Sequence, residues 1–532
     1  MRQSRIFLAL LGATLAAAAQ TNAPPLRRLS LEDCLQIALQ HNLDVKIIRY
    51  SPELARFTLQ ADYGAYDPSF MVSGEHDYAR SPGGLDSYGR PYAGTESDAN
   101  LFNTSLGGTL PWGTTYSFGA QVNDTYGTIP SESYLPGSVY TNVFWDPVHS
   151  QPIYFLATNV VPVMTRVPFE SVYGGVGLAQ FRQPLLKNFW INSARLTILA
   201  AKSDLKISEL DMRWKIIQTV TAVEVAYDEL ILALENIKVQ EKALQLAEQT
   251  LAENRKRVLV GAMAELDEKQ AESQAASARA SLLAAQARAG TQQRVLKNLL
   301  SDQYDEWKSA IVEPVDRLVA IPESFNLLES WRKSETSRPD LEQARLRVEK
   351  QGYTVRYAHN QLFPQLDLYG TAGYSASSTL SFNDALEQVG SRNNPYWTVG
   401  GQLTIPLGNI TARNNYKNAK ATKEQLGLVL TQTRQTILIA IEDAIATAQS
   451  DFQRVNATRE ARIYAEAALN AEQKKLDSGK STSFEVLRLQ RDLTAARSDE
   501  IGALASYNED LARLAQQEGS TLERRKIKLE LR

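Results

Sequence analysis

Two long stretches of this chain contain no proline. They run from residue 185 to residue 313 and from residue 407 to residue 532, so they hold 129 and 126 residues. A proline inside a helix destabilises it by about 3 kcal/mol, whereas a chain without proline can continue one helix over many turns. The two stretches can therefore form helices much longer than those of an ordinary globular domain.

Apolar residues in both stretches recur at alternating intervals of four and three. The series are Ile216, Val220, Val223, Tyr227, Leu230, Leu234 and Ile237, then Ala271, Ala275, Ala278, Leu282, Ala285 and Ala289, and later Ile437, Ile441, Ala444, Ala448, Leu489, Leu493 and Ala496. This spacing is typical of coiled-coil seams. Alanine at many seam positions lets the helix axes approach closely.

Each stretch is interrupted once by a segment with a central glycine, VLVGAMAEL around Gly261 and LDSGKSTSFEVL around Gly479. We predict that each glycine reverses the chain between two antiparallel helices. The predicted helical hairpins cover residues 188–302 and 411–519. At 1.5 Å per residue, an arm of such a hairpin reaches about 100 Å.

The pattern before the hairpins also occurs twice. Pro68 and Pro364 lie 296 residues apart, as do Asp44 and Asp340, and a predicted helix precedes each proline. Those helices are Leu31–Asp62 and Leu327–Asn360. The sequence therefore predicts two internal repeats, residues 24–302 and 327–520, joined by a linker or equatorial segment over residues 303–326 and followed by a charged tail over residues 521–532.

After each of these prolines the periodicity changes from helical to two. The alternating segments lie within residues 66–184 and 364–407, and they are Phe70–Tyr78, Phe102–Val122, Leu366–Tyr374 and Trp397–Ile405. A half-buried soluble sheet gives the same alternation. Strands of about ten residues with aromatic residues near their ends favour a transmembrane β-barrel instead.

The first repeat has an insertion between its prolines. It holds an alternating hairpin, residues 102–122 around a tight turn at Leu110–Gly113, and then residues 127–170 with six prolines. We expect residues 127–170 to be a long loop, because so many prolines disfavour helices and strands. Two alternatives are open for the hairpin: it adds two strands per protomer, giving 18 rather than 12 in a trimer, or it stands above the membrane.

The first 23 residues have the pattern of a secretory signal peptide. Arg2 and Arg5 precede an apolar run, Ile6–Ala19, and cleavage after Ala19 or Ala23 is expected. No later segment reaches about 18 consecutive apolar residues, so membrane insertion must use strands. The net charge of -3 carries no basic stripe for nucleic acid, and the single cysteine, Cys34, excludes a disulfide within the chain.

No motif indicates catalysis. The four histidines, His41, His76, His149 and His359, lack metal-ligand spacing, and the HExxH, G-x-S-x-G and GxxxxGK[ST] patterns are absent. We therefore expect a protein without enzymatic activity, cofactor or metal site.

Five segments resemble TolC-like outer-membrane efflux proteins, in an order that covers about residues 29–520. They are LSLEDCLQIALQHNLDV (29–45), VGLAQFRQPLL (176–186), RPDLEQARLRVEKQGYTVRYAHNQLFPQLDLYG (338–370), WTVGGQLTIPLGN (397–409) and LDSGKSTSFEVLRLQRDLTAAR (476–497). The resemblance implies a mixed α and β membrane protein. In this fold three protomers build a transmembrane β-barrel in the outer-membrane lipid, and a long periplasmic α-helical coiled-coil barrel continues it.

The resemblance also implies roles for the helical tips. Tips of this family contact a periplasmic adaptor and an inner-membrane pump, so the turns at Gly261 and Gly479 are candidate adaptor contacts. Asp267 and Glu485 each lie six residues after these glycines, and three copies would form a ring of six carboxylates at the gate. The acid that the family has three residues after Glu485 is Arg488 here, which we expect to pair with Glu485. A solvated helix face is the alternative for these charges.

The function implied is an outer-membrane channel that exports small toxic compounds as the duct of a tripartite efflux pump. A duct for type I protein secretion is the alternative, because the cargo depends on the pump and adaptor. A periplasmic adaptor would have one hairpin between lipoyl-like halves, and a trimeric coiled-coil adhesin would have parallel heptads without reversals; both fit the sequence less well.

Overall fold

The computed structural model describes residues 26–379 and 381–528, and the predicted signal peptide, residues 1–23, lies outside them. The chain divides into two compact units. The first contains the described parts of residues 1–54, 206–345 and 428–532, and the second contains residues 55–205 and 346–427.

Helices form most of the first unit. The α-helices of the described chain are α1 (Leu31–His41), α2 (Leu43–Tyr63), α3 (Ser193–Leu259), α4 (Glu265–Leu300), α5 (Tyr304–Trp307), α6 (Leu327–Ser337), α7 (Pro339–Asn360), α8 (Phe382–Ser391), α9 (Ile410–Asp477), α10 (Ser483–Glu518) and α11 (Thr521–Arg524). With 67 and 68 residues, α3 and α9 each reach about 100 Å.

Most strands belong to the second unit. They are β1 (Leu26–Leu29), β2 (Ser69–Arg80), β3 (Gly84–Leu85), β4 (Pro91–Tyr92), β5 (Glu96–Thr109), β6 (Thr115–Asp146), β7 (Gln151–Pro184), β8 (Ile311–Pro314), β9 (Gln365–Ser378) and β10 (Pro395–Thr404). In the first unit, β8 lies in the segment between the repeats and pairs in parallel with β1.

The heptad seams form the cores of the first unit. Ile216, Val220, Tyr227 and Leu230 are almost fully buried and pack in one cluster with residues of α1 and α4. Ile437 and Ile441 form a second cluster with partners that include a residue of α10. The apolar periodicity of the sequence therefore marks the buried faces of α3 and α9.

The two hairpin turns have the same backbone geometry. Gly261 has a φ of 68° and Gly479 a φ of 73°, both in the left-handed region. At the first turn the amide of Ala262 donates to the carbonyl of Arg257 at 2.8 Å, and at the second the amide of Lys480 donates to Lys475 at 2.8 Å. These bonds are those of a Schellman motif, in which glycine avoids the strain that a Cβ atom would add.

The predicted helices Leu31–Asp62 and Leu327–Asn360 are each divided in two. The breaks fall at Asn42 and Arg338, 296 residues apart, which is the spacing of the repeats. The side-chain oxygen of Asn42 accepts a hydrogen bond from the amide of Val45 and so caps α2. Pro339 begins α7, where a missing amide hydrogen costs nothing. Apolar periodicity alone did not reveal these caps.

In the second unit, six strands form one antiparallel sheet in the order β10-β9-β7-β6-β5-β2. The hairpin predicted at residues 102–122 is part of β5 and β6, with its turn at Leu110–Gly113. Within a single chain the hairpin contributes two strands to the sheet, and eighteen strands in a trimer stay a prediction.

The expectation of a long loop over residues 127–170 is wrong. Those residues continue β6 and β7, which pair with each other up to a turn at residues 147–150. Beyond Thr128 in β6 and before Val172 in β7, neither strand pairs with β5 or β9. Each strand of this extension has one edge without a partner strand. A proline whose nitrogen faces that edge removes no ladder hydrogen bond. The prolines of this segment are therefore compatible with strands.

Candidate channel wall and helical tips

One face of the six-stranded sheet carries apolar side chains in the part nearest the strand ends that lead into α3 and α9, and polar residues such as Asn100 and Asp124 follow on the same face beyond it. Leu106 of β5 lies opposite Phe70 of β2 on one side and opposite Phe118 of β6 on the other. The ring of Phe118 meets that of Phe181 of β7 edge to face, with centroids 5.4 Å apart. On β10, Val399 belongs to the same face and is 74% exposed. Such a face suits contact with lipid.

The opposite face of the sheet is polar. Asn103 of β5 lies between Ser73 of β2 and Gln121 of β6. An ion pair crosses from β7 to β9, where the guanidinium Nε of Arg182 donates to the carboxylate of Asp367 at 3.0 Å. Apolar and polar faces on strands of 10 to 14 residues, as in β10, β5 and β9, match the requirements of a membrane-spanning barrel whose interior holds water.

Both outer strands of this sheet have an unpaired edge among the described residues. β2 pairs only with β5, β10 pairs only with β9, and every residue of β2 is exposed. Unpaired backbone groups cannot face lipid, because nothing there replaces the lost hydrogen bonds. One chain therefore supplies part of a barrel wall and leaves two edges for other strands.

The two helical tips differ in surface chemistry. Around Gly261, the apolar side chains Leu259, Val260 and Leu266 are 86%, 77% and 67% exposed. The second tip carries Ser478, Lys480 and Ser481 at the corresponding turn, and its one exposed large apolar side chain among the described residues is Phe484, at the position that matches Leu266. Three exposed aliphatic side chains in one turn indicate a contact surface.

The predicted gate residues lie in the first turns of the helices that follow the tips. The carboxylate of Glu485 accepts from the guanidinium of Arg488 at 2.7 Å, so the expected pair forms. Asp267 makes no ion pair within the described residues. The helix dipole stabilises acidic side chains at a helix N-terminus. Asp267 and Glu485 therefore also stabilise the helices that they begin, independently of any role in a gate.

A hydrogen-bonded tie between the hairpins was not predicted. The side-chain amide of Asn254 in α3 donates to the hydroxyl of Ser483 in α10 at 2.7 Å and to the backbone carbonyl of Asp267 at 3.3 Å. Asn254 is 2% exposed and Ser483 is 1% exposed. The sequence signal that marks this tie is a polar residue at a heptad position: Asn254 continues the spacing of Ala247 and Leu251, and Ser483 begins that of Val486 and Leu493.

Other contacts between the hairpins surround this tie. The amide of Gln490 donates to the hydroxyl of Thr250 at 3.0 Å, and Arg257 lies 3.4 Å from the carboxylate of Asp477. We define the tip clasp as Thr250, Asn254, Arg257, Asp477, Ser483 and Gln490.

Several carboxylates lie against the core of the first unit. Burial, with the nearby carboxylates Glu224 and Glu509, raises the pKa of Asp228 to about 7. Burial also raises the pKa of Glu509 to about 7. Arg525 compensates part of this charge through a 2.6 Å ion pair with Glu224.

No helix among the described residues has the length and hydropathy needed to cross a membrane. Within the same residues, no group of three or more histidine, cysteine, aspartate or glutamate side chains is arranged to hold a metal ion.

Known proteins with similar sequence and structure are outer-membrane channels. The outer membrane efflux protein BepC of Brucella suis biovar 1 is 24% identical over 328 residues, which are 61% of this chain and 67% of that protein. The outer membrane protein VceC of Vibrio cholerae superposes with a TM-score of 0.62 at 18% identity, covering 92% of this chain and 96% of that one. The CmeC outer membrane channel of Campylobacter jejuni gives 0.64 at 16% identity, covering 100% and 98%.

The sequence profile of a family described as outer membrane efflux protein matches residues 178–301 and 332–520. These segments include most of both helical hairpins, both tips and the strands of the second repeat. The solved channels share the arrangement of a β-sheet and long helices, which is the fold expected from the resemblance. The chain belongs to the outer membrane efflux protein family.

Proposed function

We propose that this chain forms the outer-membrane duct of a tripartite efflux pump for small molecules, as a homotrimer. The observation that carries the proposal is a sheet with apolar side chains on part of one face, a polar opposite face and two unpaired edges. Three copies of six strands close such a sheet into eighteen strands, and barrels of this size enclose an aqueous channel.

The partners in this proposal are a periplasmic adaptor and an inner-membrane pump. The two helical hairpins support this proposal, because each ends in an exposed glycine turn. At both glycines, no described atom outside the turn lies within 4 Å of the point where a Cβ atom would stand. We propose that the turns at Gly261 and Gly479 contact the adaptor. The aliphatic side chains Leu259, Val260 and Leu266 suit an apolar partner surface at the first tip.

We further propose that Asp267 and Glu485 line the periplasmic gate in three copies. Carboxylates grouped in a narrow mouth attract cations. Because Arg488 pairs with Glu485 at 2.7 Å, the preference for cations should be modest.

The gate is tested by ion selectivity in planar bilayers. The double variant Asp267→Ala with Glu485→Ala should be less selective for cations and less sensitive to block by multivalent cations. Arg488→Asp should be more selective for cations and more sensitive to this block. Equal selectivity in the double variant and the unmodified channel would show that these acids are only a solvated helix face.

The duct itself is tested by export. The gene should restore resistance to small toxic compounds in a strain that lacks its own outer-membrane duct, provided the matching adaptor and pump are present. Restored secretion of a protein, without restored resistance, would assign the chain to type I secretion instead. Failure of both with a correctly inserted trimer would contradict the proposal.

A further inference from the structure

The extension of β6 and β7 is a two-stranded ribbon. It consists of residues 129–146 and 151–167, which pair only with each other among the described residues, and we call it the ribbon. Its strands are about 60 Å long at 3.4 Å per residue. The ribbon begins where the six-stranded sheet ends, on the side opposite to the strand ends that lead into α3 and α9.

Both faces of the ribbon are apolar near its turn. Trp145, Val143 and Leu156 lie on one face, and they are 65%, 56% and 79% exposed. Phe144 and Phe155 lie on the other face, and they are 67% and 54% exposed. A soluble hairpin would expose polar residues on at least one face.

Apart from Glu132 and Arg166 near its base, the ribbon carries almost no charge. From residue 133 to residue 165, the acidic and basic side chains are Asp146 and His149 alone, and both lie at the turn. They pair with each other, with 2.7 Å between the imidazole Nδ1 and the carboxylate. An isolated two-stranded ribbon is marginally stable in water, and two uncharged apolar faces near its turn mark a site of association.

Membrane lipid cannot be the partner of the ribbon. The sheet below it has strands of 10 to 14 residues, for example β10, β5 and β9, which already suffice to cross the membrane. A two-stranded ribbon in hydrocarbon would also leave the backbone groups of both outer edges without partners. The ribbon therefore lies outside the hydrocarbon, and its apolar faces need contacts with protein.

We infer that the ribbons of three copies pack against one another on the symmetry axis, above the outer opening of the duct. This inference rests on the homotrimer proposed above. The ribbon continues the two central strands of a sheet whose edges already require other copies, so identical ribbons stand beside each other in the trimer. Six strands cannot enclose the circumference built by eighteen, because barrel diameter grows with strand number. The ribbons bury their faces only if they converge.

The test is cross-linking between identical residues. A single cysteine joins two copies only if it lies near the symmetry axis, since residues far from the axis are far from their own equivalents. Val148, in the turn of the ribbon, is 81% exposed and accepts a cysteine without loss of packing. The natural Cys34 does not interfere, because it is fully buried and burial raises its pKa to about 12.

Oxidation of the Val148→Cys channel in outer membranes should convert most of the monomer band to the mass of a covalent dimer. Tyr88→Cys is the matched control: Tyr88 is 76% exposed in the turn between β3 and β4, but that turn is not part of the ribbon. The control should react with maleimide and form no dimer.

An intact trimer in which Val148→Cys forms no dimer would overturn the inference and leave the proposed function standing. Reaction of Val148→Cys only with a lipid-soluble maleimide, or its cross-linking to a different protein, would also overturn it. Absence of any trimer would contradict the proposed function itself.

Discussion

Removing the amide of Asn254 should loosen the tip clasp. In Asn254→Leu, the side chain keeps the same number and branching of heavy atoms but loses its hydrogen bonds to Ser483 at 2.7 Å and to the carbonyl of Asp267 at 3.3 Å. Each bond contributes about 1 kcal/mol, and a buried group left without its partner costs about 1–3 kcal/mol. The bond to Ser483 is the one that joins the two hairpins, because Asp267 belongs to the same hairpin as Asn254. With the buried Ser483 hydroxyl left without this partner, the two hairpins should be held together less strongly by roughly 2 kcal/mol per copy.

The ion pair of the clasp cannot replace this contribution. Arg257 and Asp477 are 3.4 Å apart, and the Asp477 side chain is 72% exposed. Exposed ion pairs contribute about 0–1 kcal/mol. The buried amide therefore contributes more to the free energy of the clasp than the ion pair does.

The assay is single-channel recording of the purified trimer in planar bilayers. Because about 1.4 kcal/mol is a factor of ten, a loss of about 2 kcal/mol should raise the ratio of separated to joined tips by about 30-fold. Asn254→Leu should then show a longer open time or a higher conductance.

The matched control is Asn508→Leu, since the amide of Asn508 donates to the carbonyl of Leu504 in its own helix at 2.7 Å. The control should leave conductance unchanged. The same conductance in Asn254→Leu and in the control would refute a role of the clasp in opening.

Three further predictions concern the tips and the core of the first unit. Gly261→Val should impair export and leave trimers intact, because the φ of 68° at this position strains any branched residue. Its control is Gly502→Val in α10, where the new side chain meets open space on an ordinary helical backbone. The control channel should export normally. Arg488→Lys should keep the pair with Glu485 and leave selectivity in bilayers unchanged, unlike Arg488→Asp. The pKa of Asp228 is raised to about 7 in the folded protein. Its contribution to stability is therefore present below about pH 4 and is lost as the pH rises to about 7. Asp228→Asn should flatten the fall of the unfolding temperature across that range.

The helical part of the fold could be predicted because its signal is long and repeated. Apolar residues at heptad spacing, such as Ile216 and Val220, are the buried ones, and Gly261 and Gly479 occupy the left-handed turns. In each case a single local rule, periodicity or backbone conformation, decides the structure. The Glu485–Arg488 pair was predictable for the same reason, since it joins residues one helical turn apart.

The other features depend on contacts between distant residues. Pro130 and Pro168 suggested a loop, but they lie in the ribbon and at its base, where each strand has a free edge; only the pairing of β6 with β7 reveals this. The clasp joins Asn254 to Ser483, 229 residues away, and no periodicity relates them. The number of strands per chain likewise depends on the pairing of β5 with β6, which alternation within one segment does not decide.

If one chain builds only a third of its duct, the folded protein cannot exist as a stable monomer, and its mass in mild detergent decides the question. We expect a protein that fractionates with the outer membrane and has a mass close to three chains of 59.1 kDa, less any signal peptide removed. Recovery of a stable monomer from the soluble periplasmic fraction would contradict the trimer, because the unpaired edges of β2 and β10 would then need no other copy.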